Sequence, residues 1–139
     1  MGHSNKLYVG ELHYLKSLLH LQKGQAPVSS TALAIDVGVA PPTVTAMLKQ
    51  LSKKGLADYT PYQGAKLTQK GRTAALSLEH KYTLARKLLT EILALPEELV
   101  HEEACMLEHA MSDTLAQHLE QLLTHSSEMK KEPARVTAR

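Results

Sequence analysis

Residues 28–67 read VSSTALAIDVGVAPPTVTAMLKQLSKKGLADYTPYQGAKL, and the order of elements within them decides the fold. After Val28, Ser29 and Ser30 can cap the free amides of a short helix whose Ala32, Leu33 and Ile35 turn inward and which ends near Asp36. Gly38 supplies a turn. Pro41-Pro42 then opens the next helix, where a missing N–H is no loss because first-turn amides have no partner in the helix anyway. Val44, Met47, Leu48 and Leu51 recur along it at helical spacing, and Gly55 stands where it should end. Leu56–Thr60 and Ala65–Leu67 predict two short strands around the turn Pro61-Tyr62-Gln63-Gly64. Helix, turn, helix, hairpin is the order of a winged helix-turn-helix, which lets its second helix enter a DNA major groove.

Working outward, a helix runs before this stretch from about Asn5 to Gln22, with Leu12, Leu15, Leu18, Leu19 and Leu21 as its apolar face and Lys23-Gly24-Gln25 as its stop. After it, Thr68 can cap a long fourth helix reaching about Leu93. Pro96-Glu97-Glu98 starts a fifth with proline and acid in the first turn, and Ser112-Asp113 starts a sixth that ends near His125. From Ser126 the sequence is polar and aperiodic, which predicts a frayed tail carrying Lys130, Lys131, Arg135 and Arg139. The fold class predicted is mainly α, an N-terminal winged helix-turn-helix with a two-stranded wing followed by a helical domain. The expected boundaries are 1–73, 74–125 and a flexible tail at 126–139.

Composition agrees. A chain of 139 residues, 43% hydrophobic and 22% charged, fits one compact domain or two small ones and excludes a large multidomain enzyme. With no Phe and no Trp, its core must be Leu, Ala, Val, Ile and Met. No apolar run approaches the roughly 18 residues of a membrane span. The lone Cys105 cannot form an internal disulfide and no export sequence opens the chain, so a cytoplasmic protein without a membrane partner is expected.

The net charge of +2 hides an asymmetry. The first 80 residues carry nine Lys/Arg against four Asp/Glu, a net +5, and the rest carry seven against ten, a net −3. A basic front half suits a polyanion and an acidic back half suits cations. On the recognition helix, Thr43 and Thr45 are hydroxyls for base edges or phosphates, and Pro42 is an apolar contact for a thymine methyl. Lys49, Lys53 and Lys54 on the helix, with Lys66, Lys70 and Arg72 around the wing, can neutralise phosphates. The competing reading is that these lysines only solvate an outer face. Their coincidence with the helix order favours double-stranded DNA as the partner.

The fifth helix holds His101-Glu-Glu-Ala-Cys105-Met-Leu-Glu108-His109. Cys105, Glu108 and His109 fall within an arc of roughly 100° on one helix face, and His101 is one turn earlier. A thiolate, a carboxylate and imidazoles suit a borderline divalent ion, and His13, in the middle of helix one, could complete the shell from a second element. Taken singly, Cys105 could be a small buried hydrophobe, Glu108 a solvated carboxylate and His13 a core hydrogen-bonder. His101-Glu102 looks like half of a zinc-protease motif, but its second histidine is missing, so an enzyme is not expected.

Residues 101–113, His-Glu-Glu-Ala-Cys-Met-Leu-Glu-His-Ala-Met-Ser-Asp, together with Pro42-Thr43-Val44 and Leu67-Thr68-Gln69-Lys70-Gly71-Arg72-Thr73, resemble the diphtheria-toxin-repressor family of iron- and manganese-dependent regulators. The resemblance runs from helix one to helix six, in a short form without the SH3-like domain of longer members. It implies a metal-activated transcriptional repressor that binds a palindromic operator as a homodimer and controls metal homeostasis. The back half would be its metal-binding and dimerisation domain. The alternative is a metal-independent winged-helix regulator.

In iron-type members a helix-one methionine joins the Cys-x-x-Glu-His motif at the primary site, so the resemblance implies Cys105, Glu108 and His109 as ligands. Imidazole at His13 replaces the thioether. At the family's ancillary site only His101 is retained. Tyr82 and Arg86 stand where a histidine and a glutamate are usual, so that site is expected to be absent or rebuilt, with Arg86 pairing an acid such as Glu102. Ferrous iron is the first expectation for the ion, with Zn2+, Co2+, Ni2+ and Mn2+ as the others. His13 and Lys16, in place of the helix-one carboxylates of manganese-type members, argue against manganese as the cognate metal.

Overall fold

A computed structural model describes residues 9–130. Along them run α1 (Val9–Leu21), α2 (Ser30–Val37), α3 (Pro41–Lys53), β1 (Ala57–Thr60), β2 (Gly64–Leu67), α4 (Gln69–Lys87), a π-helical turn (Leu88–Ile92), α5 (Glu97–Ala110) and α6 (Asp113–Lys130). The mainly α class and the winged helix-turn-helix order predicted from sequence are both observed. The described residues divide between Glu79 and His80 into two compact units, the break falling inside α4.

In the first unit, the Ser29 hydroxyl accepts from the Ala32 amide at 3.0 Å and caps α2, and Gly38, at φ 82°, ends it in the left-handed region that glycine enters without strain. Val44, Leu48 and Leu51 of α3 are wholly buried, as their spacing predicted. Ile35 is a correction: Leu33 and Ala34 take the inward positions of α2 and Ile35 is 77% exposed. Apolar residues stand all around this short helix, at Ala32, Leu33, Ala34, Ile35 and Val37, so the pattern alone does not single out its buried face.

The wing pairs Ala57 with Leu67 and Thr60 with Gly64 in antiparallel register. Val28 bridges Ala65 beside it, giving 2.7 Å from the Val28 amide to the Ala65 carbonyl and 2.9 Å for the reverse bond. That approach requires Gly64: its φ is 109°, and a Cβ there would lie 2.0 Å from the Val28 carbonyl oxygen. Tyr14, Leu15 and Leu18 of α1 close this core over Leu33, Val44, Leu48 and Ala75.

The second unit packs Leu84, Ala85 and Leu89 against Val100, Ala104, Met111, Ala116, Leu119 and Leu123. The Ser112 hydroxyl accepts from the Leu115 amide at 3.1 Å and opens α6. This helix continues past the expected end at His125 to Lys130, so Ser126–Lys130 are helical rather than frayed. Lys131, Arg135 and Arg139, and the expected helical start at Asn5, lie outside the described residues. Among the described residues no single helix is long and apolar enough to cross a membrane.

Candidate functional site

The outer face of α3 is the first element of the site. With Val44, Leu48 and Leu51 turned into the core, the helical period leaves Pro42, Thr43, Lys49 and Lys53 exposed on the opposite side. Lys49 and Lys53, one turn apart, form a basic strip. Thr45 departs from the expectation of a free hydroxyl: it is half-buried, and its Oγ1 donates to the Pro41 carbonyl at 3.3 Å. Lys66 is half-buried on β2, in register opposite Asp58. At the wing tip Tyr62, with φ 69°, is fully exposed. In the sequence it is marked only as a turn residue.

Lys54 is a correction. Its position in sequence suits a phosphate-neutralising lysine, but its Nζ lies 2.9 Å from Oε1 and 2.8 Å from Oε2 of Glu11, whose side chain is completely buried. Gln50 donates to the same carboxylate at 2.7 Å. Lysines at 49 and 53 point outward, and the residue at 54 is rotated toward α1. Glu11 itself escaped the sequence reading, because an acid in the first turn of a helix is ordinary helix-dipole chemistry. Only the partners on α3 mark it as special.

On α5, Glu108 is 1% exposed, Cys105 and His109 are half-buried, and both ring nitrogens of His109 are buried. His101 is exposed on the preceding turn, with its Nε2 3.7 Å from the Cys105 sulfur and its Nδ1 2.6 Å from the Tyr82 hydroxyl. The rings of Tyr82 and His101 meet edge to face at 5.7 Å. One turn along α4, Arg86 donates to Glu97 at 2.8 Å, so its acidic partner is Glu97 rather than Glu102. The bond to Glu97 first, and the contact with Tyr82 second, hold the guanidinium still more firmly protonated.

His13 belongs to the first unit and is exposed on α1. Among the described residues no three His, Cys, Asp or Glu side chains are gathered closely enough to hold a metal ion as they stand. The donor chemistry on α5 nonetheless fits a borderline divalent ion. A carboxylate and an imidazole are held away from water beside a thiol, so cation binding there would not compete with full hydration of these groups.

Comparison with known proteins also finds two parts in the chain, meeting just before α4 rather than within it. Residues 11–65 match the family described as iron dependent repressor, N-terminal DNA binding domain, and residues 68–133 match iron dependent repressor, metal binding and dimerisation domain. An uncharacterized HTH-type transcriptional regulator of Methanocaldococcus jannaschii is 37% identical over 107 residues, covering 76% of this chain and 86% of that protein. The diphtheria toxin repressor of Corynebacterium glutamicum is 31% identical over 110 residues, 79% of this chain and 48% of that one. The solved structure of the manganese regulator SloR superposes with a TM-score of 0.70 at 32% identity, covering 82% of this chain and 53% of its own. The chain thus spans about half the length of the latter two.

Proposed function

We propose that this chain, which belongs to the iron-dependent repressor family, is a metal-activated transcriptional repressor that binds palindromic operator DNA as a homodimer and controls divalent-metal homeostasis, iron first. The observation that carries the reading is the presence in one chain of two separate chemistries. The first unit turns Thr43, Lys49 and Lys53 outward on a winged helix-turn-helix, and the second carries a buried carboxylate, an imidazole and a thiol along one helix.

Cys105, Glu108 and His109 would hold the ion together with His13, and His101 is the adjoining donor, in contact with the thiol. The thiolate and imidazoles favour Fe2+, Zn2+, Co2+ or Ni2+ over Mn2+. When bound, the ion supplies free energy that favours one arrangement of the chain over others, which is all that regulation requires. Moving a two-state equilibrium from 1:99 to 99:1 takes about a 10⁴-fold difference in affinity between the states. Dimerisation has a surface to use. Leu99 and Met106 of α5 are exposed, as are Leu115, Leu122 and Met129 of α6, each series spaced by seven residues and so nearly aligned on its helix.

The test begins by selecting duplexes from a random-sequence library with protein loaded anaerobically with Fe2+. The selected duplex should be palindromic, and its affinity should rise at least tenfold with metal. Cys105→Ala should abolish that rise. A metal response unchanged by Cys105→Ala would overturn the ligand assignment, and no response in the unsubstituted chain would leave a metal-independent regulator.

A further inference from the structure

Helix α1 has two working faces. His13 is exposed and Glu11 is wholly buried, and residues two apart on a helix are separated by about 200°. The inner face lies against α3. A Cβ on Gly10 would stand 3.7 Å from the Met47 methyl, and Glu11 receives Gln50 at 2.7 Å and Lys54 at 2.9 Å. Met47, Gln50 and the capping residue Lys54 follow one another at helical offsets of three and four, so they form a single stripe along α3 and its C-terminal cap turned toward the first turn of α1.

We propose that Glu11 is the positioning residue through which α1 sets the angle of the recognition helix. The inference rests on the metal-activated reading above, in which His13 is a ligand on the outer face of the same helix. An apolar contact between two helices can slide, because many side-chain arrangements bury similar area. A buried carboxylate held by an ammonium and an amide cannot, because displacement leaves a charge with neither water nor partner. Whatever shift metal imposes on α1 at residue 13 is therefore delivered to α3 at residues 50 and 54. Those anchors are at the C-terminal end of α3, and Lys54 is about 16 Å along the axis from Thr43 at 1.5 Å per residue. A rotation at the anchored end is magnified at the end that meets DNA.

The experiment uses the full chain, Fe2+ under anaerobic conditions and the duplex selected as above. Glu11→Gln keeps the size and hydrogen-bonding shape of the side chain but removes its charge. Its metal affinity should stay within twofold of the unsubstituted protein, as should its affinity for the duplex without metal. The metal-induced gain in duplex affinity should fall at least tenfold. Lys54→Gln, altering the partly exposed member of the same ion pair, should do the same. Lys53→Gln is the contrast: it should weaken DNA binding equally with and without metal, leaving the gain intact. Hydrogen exchange gives a second readout, since metal should slow exchange of α3 amides in the unsubstituted protein and not in Glu11→Gln. A side chain that only stabilised the fold would lower the melting temperature without changing the ratio of metal-loaded to metal-free affinity. A full metal-induced gain in both Glu11→Gln and Lys54→Gln would overturn the proposal. An unsubstituted protein with no metal response would overturn the functional reading first, and the coupling with it.

Discussion

Two residues show how far local propensity and tertiary contact can diverge. Gly71 is in the first turn of α4, where alanine is the better helix former by roughly 1 kcal/mol. A Cβ there would lie 1.9 Å from the Leu56 carbonyl oxygen, which is backbone and cannot swing aside. Gly71→Ala is therefore expected to destabilise by at least about 2 kcal/mol, the reverse of its propensity, because the wing and α4 must separate to admit one methyl. Urea denaturation checks the sign. Tyr14 runs the other way. Its ring fills the core at 4% exposure, but its hydroxyl is buried with no hydrogen-bond partner among the described residues. An unmatched buried hydroxyl costs on the order of 1–3 kcal/mol, so Tyr14→Phe should leave stability unchanged or raise it by about 1 kcal/mol in the same assay. A clear loss would mean that the hydroxyl is satisfied in solution.

At the scale of elements, the faces of α1 account for what could be read in advance and what could not. Its apolar repeat placed the helix and its core residues Leu15 and Leu18, and the order of α2, α3 and wing was legible because serine, proline and glycine each act within a turn of where they stand. The inward turn of Lys54, the burial of Glu11 and the exposure of Ile35 depend on a neighbouring element, and no local signal encodes a neighbour's position. The π-helical turn after α4 was likewise hidden, since Leu88–Ile92 has an unremarkable helical pattern. Of the candidate site, the donor spacing on α5 was readable, and the contact between His101 and Tyr82 was not. The outer face of α1 also carries a pH signature. Glu79 of α4 meets His20 at 2.8 Å and Lys16 at 3.4 Å. Burial alone would raise its pKa, but the hydrogen bond and charge of His20, with the charge of Lys16, outweigh burial and hold it below the usual carboxylate value. A depressed folded-state pKa means stability that is present above the unfolded pKa near 4.5 and is lost as pH falls through the folded value. Glu79→Gln should thus be the less stable protein at pH 7, and the two should converge as pH falls below the folded-state value, read from urea midpoints measured across the acidic range. A gap that did not narrow at all with falling pH would show that the side chain stabilises by packing rather than by its charge.

For the whole molecule, the quantity that follows from these details is the number of metal ions each chain takes. The resemblance to iron-dependent regulators implies two sites, and the side chains at the second lead to the proposal that this chain keeps only one of them. Where a histidine and a glutamate would accompany His101, Tyr82 donates to or accepts from the imidazole at 2.6 Å, and Arg86 is paired with Glu97 at 2.8 Å. A guanidinium is protonated at every pH the fold survives, so it puts a fixed positive charge where the resemblance would place a cation. On the reading proposed above, one equivalent of Fe2+ or Co2+ should saturate each chain, measured by elemental analysis after gel filtration. The double variant Tyr82→His, Arg86→Glu restores one imidazole and one carboxylate along the same helix at an offset of four, beside an imidazole that Tyr82 already reaches. It should take up a second, weaker equivalent, while Cys105→Ala in that background should lose the tighter one. Two equivalents in the unsubstituted chain would mean that a cation binds despite Arg86. One equivalent in the double variant would mean that Glu97, freed from its arginine, and His101 do not form a site with the new pair.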